Sequence, residues 1–208
     1  MNQYSPNTQF SVFPPAVKYL LIWNGIFFLA TVSITSGGWT PLGNLLAPFL
    51  VLQPLGDGFL PWQLVSYMFL HADFSHIFFN LFALWIFGQA LENLWGTKRF
   101  LLYYFLTGIG AGIVQILVSD GSTIGASGSV FGILLGFGMM FPDNRIMLLF
   151  PPIPIKAKYF VAMYGLFELF NGLTRTDSGV AHFAHLGGLV VGFILIKLWK
   201  LKKPQSYA

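Results

Sequence analysis

The sequence predicts an all-α integral membrane protein, six transmembrane helices with a half-embedded first loop, on three observations. Apolar residues make up 55% of the chain and charged ones only 9%, and the 23 Phe outnumber the 11 Lys/Arg and 7 Asp/Glu together. A water-soluble domain of this length needs several times that charge to cover its surface, so lipid is the expected solvent. The apolar residues gather into six runs near the roughly 20-residue length that spans a bilayer. The basic residues fall between alternate runs.

In chain order, the first run covers about 17–35. A stretch over 37–74 follows that is apolar but interrupted by Pro41, Pro48, Pro54, Gly56, Asp57, Gly58 and Pro61, too often for a spanning helix. Its apolar pieces, about 45–52 and 59–70, suit a subdomain lying at the interface or dipping into one leaflet. The second and third runs, about 75–95 and 99–119, are separated by Lys98 and Arg99. The fourth, about 127–141, is short and bounded by Gly125 and Pro142; the fifth and sixth cover about 157–173 and 182–201. One membrane domain over the whole chain, 1–208, is the expected organisation.

Charge then orients the bundle. Lys18, Lys98, Arg99, Arg145, Lys156, Lys158, Lys197, Lys200, Lys202 and Lys203 all fall on one side of a six-span arrangement. The other side holds Arg175 with Asp57, Asp73, Asp120 and Asp177. The positive-inside rule places both termini in the cytoplasm. The same split excludes nucleic acid as a partner, because the basic residues are juxtamembrane anchors. The chain has no cysteine, which excludes disulfides, thiol nucleophiles and Cys-based metal sites. No basic region followed by a short apolar core and a cleavage site opens the sequence, so no cleaved signal peptide is expected.

Polar side chains inside lipid are costly and mark function. His71, His76 and Asn80 stand at the start of the second run, Ser127 at the start of the fourth, and His182 and His185 at the start of the sixth. These three runs cross in the same direction, so the residues share one depth band near the outer face. His76 and Asn80 are i,i+4 and share a helix face, whereas His71 and His76 are about 140° apart. Gly128, Gly132 and Gly136 form a four-residue stripe after Ser127, and Gly188 and Gly192 form another after His185. Such stripes let membrane helices approach closely, and packing them together sets the hydroxyl of Ser127 beside an imidazole. That is a nucleophile–base pair. Peptide-bond attack also needs donors for an oxyanion, and those at hand are the Ser127 amide at a helix start, Asn80 and His76.

Gly125-Ala126-Ser127-Gly128 resembles the GxSG motif of the rhomboid family. His71-x4-His76-x3-Asn80 resembles that family's second-helix HxxxxHxxxN pattern, and Ala184-His185-x2-Gly188-x3-Gly192 its sixth-helix AHxxGxxxG. The resemblance runs from Lys18 to the tail, in the family's basic six-helix bacterial form. It implies an intramembrane serine protease of a bacterial plasma membrane that cuts transmembrane protein substrates near the outer face. Ser127 is then the nucleophile, His185 the base, and His76 and Asn80 oxyanion donors, with Gly125, Gly128 and Gly188 supporting the site. It also implies a half-submerged first loop and lateral substrate access between the second and fifth helices. No metal, nucleotide or organic cofactor is implied. Two positions depart from the family pattern: Trp62-Gln63 stands where the family often has Trp-Arg, and Phe131 replaces a tyrosine of some members, able to stack on His185 but not to donate a hydrogen bond.

Other residues carry plainer expectations. His182 reads as a neighbour of the base, because His185 has the matching spacing to Gly188. His71 braces the loop before the second helix, Asp73 reads as an N-cap, and Glu92 bonds within the structure. Glu168, a carboxylate in the outer part of the fifth run, reads as gating or structural, with orientation of a catalytic group as the alternative. A proton-coupled transporter would need polar groups at mid-depth and inverted repeats, and the sequence carries neither. A client-binding rhomboid relative without activity would lack the Ser or the His. A metalloprotease would need His-Glu-x-x-His, which is absent.

Overall fold

The computed structural model describes residues 10–32, 38–148, 152–174 and 180–204. Arg175 and Asp177, counted above on the outer side, lie outside them, as does the end of the first expected helix. The described residues are mostly helical, and the chain's first helix, α1 (Pro15–Thr31), shows why. It opens with Pro at a position whose missing N–H costs nothing. The next two amides, of Ala16 and Val17, donate to the carboxylate of Glu92 at 2.9 and 2.8 Å, and Thr97 Oγ1 donates to it at 2.7 Å. A buried anion thus sits at the positive end of α1.

The proline-broken stretch folds into α2 (Pro41–Leu50), α3 (Gln63–Ser66) and a 3₁₀ turn (Tyr67–Phe69). Thr40 caps α2, its hydroxyl accepting from the Gly43 amide at 2.9 Å. Gln63, where the family often has arginine, is fully buried. Its Oε1 accepts from the amides of Gln53 and Leu60 at 3.2 and 3.0 Å, and its Nε2 donates to the Pro48 carbonyl at 3.0 Å. One amide side chain therefore staples three points of the loop. Leu52 exchanges backbone hydrogen bonds with Thr123, which ties this loop to the segment just ahead of Ser127.

Next come α4 (Phe74–Trp95), capped by Asp73 accepting from the His76 amide at 2.8 Å, and α5 (Thr97–Val118). Gly96 turns the chain between them with φ of 80°, a backbone shape that favours glycine. Helix α6 (Ser127–Met140) follows, then α7 (Ala157–Thr174) and α8 (His182–Leu198). The last ends short of the expected 201, where Lys200 takes a φ of 50°. Between α6 and α7 lies a departure from the all-α expectation: β1 (Arg145–Met147) pairs antiparallel with β2 (Pro154–Lys156), Ile146 opposite Ile155. The isoleucines at its centre are half-buried, and the pairing satisfies backbone groups of a connection that does not continue either helix.

Helix α6 packs against α4, α5, α7 and α8. Glycine makes this possible. A Cβ on Gly188 would strike the Gly128 carbonyl oxygen, so α8 lies directly on the backbone of α6. The two stripes meet at a second level too, as the spacing suggested, where a Cβ on Gly192 would fall 3.4 Å from the Gly132 Cα. A Cβ on Gly132 would fall 2.7 Å from Thr107 of α5, too close to fit, and one on Gly136 would fall 3.0 Å from Leu91 and Trp95 of α4. Each four-residue step advances about 40° around a helix, so a three-glycine stripe drifts across its neighbours. Among the described residues two helices, α4 and α5, are long and apolar enough to cross a membrane, with mean hydropathy 1.4 and 1.9; α1, α2, α6 and α8 are apolar but shorter.

Candidate active site

The site forms where the starts of α4, α6 and α8 meet the C-terminal half of α7. Ser127 is the first residue of α6, and Ala126 before it offers no side-chain cap. The first intrahelical bond there is Val130 N–H to the Ala126 carbonyl, so the amides of 127–129 have no acceptor within the helix. The turn leading in depends on Gly125, whose φ is +122°. A Cβ there would also fall 2.7 Å from His76 Nε2. Its amide donates to the Tyr67 carbonyl at 2.9 Å, and Tyr67 Oη donates to the Gly108 carbonyl at 2.7 Å. The first loop and α5 thus hold the approach to Ser127, a link between distant segments that residue spacing could not show.

Ser127 Oγ lies 2.8 Å from His185 Nε2. Nδ1 of the same ring lies 2.9 Å from Glu168 Oε2, and His182 Nδ1 lies 2.6 Å from that same oxygen. A carboxylate only accepts, so Nδ1 of each ring carries a proton. In a neutral His185 this leaves a lone pair on Nε2, aimed at the serine hydroxyl. Phe131 stacks flat on the ring, with centroids 4.3 Å apart and planes 9° from parallel. Glu168, His182 and His185 are all buried, and Ser127 is half-buried.

His76 presents Nε2 toward Gly125. Its Nδ1 accepts from the Ala72 amide at 3.3 Å, which leaves the proton of the neutral ring on Nε2, as a donor facing the site. His71 is fully buried and meets His76 edge-on at 5.0 Å. Burial, reinforced by the neighbouring His76, pulls its imidazole down to about 3, so it stays neutral at physiological pH. Asn80 donates Nδ2 to the His76 carbonyl at 2.8 Å. It makes no hydrogen bond to Ser127 or His185 among the described residues; one amide proton remains uncommitted.

The structure therefore brings together Ser127, His185, His76 and the supporting Gly125, Gly128 and Gly188. It sets Asn80 one step back, and it puts His185 rather than His182 against the serine. Sequence spacing undervalued Glu168, which touches both histidines. The signal was visible as a lone carboxylate in an apolar run, but its partners lie 14 and 17 residues away on another helix. Glu168, His182 and His185 offer three ligand atoms within 4.8 Å of one another, a chemically suitable set for a cation. Two ligands of a tetrahedral zinc ion sit about 3.4 Å apart, given bonds of roughly 2.1 Å. The separations here, 2.6 and 2.9 Å, are those of shared protons instead.

A helical bundle with a hydroxyl, an imidazole and a carboxylate in line at the start of a glycine-rich central helix defines the class. The Rhomboid domain model matches residues 59–201, and the chain belongs to the rhomboid family. It is 32% identical over 146 residues to the rhomboid protease GluP of Bacillus subtilis, covering 70% of this chain and 27% of that protein. It is 33% identical over 148 residues to the rhomboid protein YdcA of the same bacterium, covering 70% of this chain and 71% of the relative. It is 34% identical over 156 residues to a chloroplastic rhomboid-like protein 11 of Arabidopsis thaliana, covering 70% and 54%. The chain thus spans about a quarter of the length of the first and about half of the third.

Proposed function

We propose that this chain is an intramembrane serine protease that hydrolyses peptide bonds of transmembrane proteins near the outer membrane face. One observation carries the reading: the 2.8 Å contact between Ser127 Oγ and His185 Nε2, at a helix start whose amides are uncapped. A serine hydroxyl needs an imidazole to take its proton, and the oxyanion needs fixed donors. In the proposed reaction the Ser127 proton passes to His185 Nε2 as Oγ bonds to the carbonyl carbon. The Ser127 amide and His76 Nε2–H stabilise the oxyanion, with the uncommitted Asn80 proton as a further donor. The tetrahedral species collapses, the C–N bond breaks, and the leaving amine takes the proton from His185. Water, deprotonated by the same nitrogen, then releases the acyl group and restores the serine.

The membrane setting of the proposal is six spans, α1, α4, α5, α6, α7 and α8, in one domain, with α2 and α3 half-embedded and both termini in the cytoplasm of a bacterial cell. It is supported by apolar side chains left uncovered on the rim: Leu29 of α1 is 64% exposed, and Leu166 and Leu173 of α7 are 67% and 69% exposed. Water would penalise such surfaces; lipid does not. The proposed substrate is a transmembrane segment that reaches Ser127 laterally, between α4 and α7.

The test is labelling with a fluorophosphonate probe, together with cleavage of a transmembrane model substrate by purified protein. The probe should modify Ser127, and Ser127→Ala and His185→Ala should each abolish cleavage, while His182→Ala retains measurable activity. Cleavage retained by Ser127→Ala would sink the mechanism.

A further inference from the structure

Rhomboid chemistry as proposed above asks only for a serine and a histidine, yet a third and a fourth buried polar group converge here. Leaving Glu168 in an apolar helix is costly unless its charge is matched by donors. Its Oε2 accepts two, from His185 Nδ1 and His182 Nδ1. The other side chains of α7 facing the bundle are Ala157, Val161, Asn171 and Gly172, and Asn171 Nδ2 donates to the Phe167 carbonyl of its own helix. Among the described residues, Glu168 is therefore the α7 side chain that hydrogen-bonds across to α8.

Resting on the protease reading, we infer that Glu168 is a positioning residue, the third member of a Ser127–His185–Glu168 relay. Three consequences follow from the geometry. The carboxylate holds the Nδ1–H tautomer of His185, so the lone pair needed by Ser127 stays on Nε2. It fixes the ring's rotation about the stacking plane set by Phe131, which holds the ring's tilt but leaves it free to turn. It stabilises the imidazolium that forms once the serine proton has moved, without itself taking that proton. His182 donates to the same oxygen from one turn earlier on α8, so the carboxylate is held from two points and cannot swing away with a rotation of its own side chain.

The test compares wild type with Glu168→Gln in the full chain in detergent micelles. Glu168→Gln should lower kcat and the rate of fluorophosphonate labelling of Ser127 together, by roughly ten- to a thousandfold, with KM and thermal midpoint little changed. A merely structural carboxylate would instead lower the thermal midpoint, or raise KM, and leave labelling of the folded fraction unaltered. Cleavage and labelling within twofold of wild type would overturn the inference. Should the variant fold poorly, nitrogen-15 spectra of histidine-labelled wild-type protein decide the matter. His185, assigned by its loss in His185→Ala, should show a protonated Nδ1 and an unprotonated Nε2. The opposite tautomer would overturn the relay. This arm needs no turnover, so a wild type that cleaves nothing would count against the protease reading while the tautomer still judges Glu168.

Discussion

Helices α6 and α7 both contribute to the site, and they are built on opposite terms. All but three of the fourteen residues of α6 are buried, and glycines let α4, α5, α7 and α8 all rest close on its backbone. Helix α7 buries only five of eighteen, and its outward side is a run of exposed Tyr159, Met163, Leu166, Phe167, Phe170 and Leu173. Ser127, the proposed nucleophile, sits on the element that cannot shift without unpacking the bundle. The carboxylate reaches the base from an element held by few contacts. A hydroxyl must be placed to within a fraction of an ångström of its target.

The largest effect expected from this contrast is at Gly188. Its Cβ has no room against the Gly128 carbonyl, so Gly188→Ala should force α8 off α6. A loss of about 3 kcal/mol or more is expected, together with fluorophosphonate labelling of Ser127. The matched change on the rim, Gly165→Ala, meets only the flexible tip of Leu189 at 3.3 Å. It should be neutral, or stabilising by up to roughly 1 kcal/mol through helix propensity. Thermal denaturation in one detergent reads both, and equal effects would erase the distinction between centre and rim.

Rim helices differ among themselves in how their ends are tied. Helix α1 is anchored by the buried Glu92, whose carboxylate accepts two amides and a hydroxyl. Glu92→Ala should cost about 2–4 kcal/mol, since it strands buried donors and removes the anion at a helix N-terminus. Limited proteolysis should then cut first near residues 10–18. An intact N-terminal segment at that loss of stability would mean that α1 is held by packing alone.

The start of α7 is tied instead by Asp143, on the surface, to Lys158 at 2.9 Å and Lys156 at 3.3 Å. Hydrogen bonding to Lys158, then to Lys156, holds the Asp143 carboxyl below its ordinary range. A carboxyl depressed in the folded state contributes above its unfolded value and loses that contribution as acid titrates it. At an exposed pair the contribution is screened, so Asp143→Asn should leave the thermal midpoint unchanged at neutral pH. The sharper measurement is the carboxyl titration itself by NMR, which should move upward in Lys158→Ala. A titration indifferent to Lys158 would break the link between hairpin and helix.

Much of this was legible in residue order. Apolar runs of helical length, broken by prolines over 37–74, marked where helices and the looped segment would lie, because burial and backbone bonding act locally. Asp73 as a cap and the depth shared by Ser127, His76 and His185 follow from the same short-range rules. Other features were decided only in three dimensions. His182 and His185 are both near one face of α8 and both touch Glu168, and what separates them is that His185 Nε2 also meets Ser127. The β1–β2 hairpin lies in a run, 146–155, that is apolar throughout and so carries no two-residue alternation to mark its strands. Asn80 shares a face with His76, but that face says nothing of the proton it spends on its own helix. Glu168 shows the limit most plainly. Its place as a lone carboxylate in an apolar run drew attention to it and read as gating or structural, yet its partners belong to another helix. A hydrogen bond is decided by tenths of an ångström between atoms that only tertiary packing brings together, whereas apolar periodicity is decided within a few residues of chain.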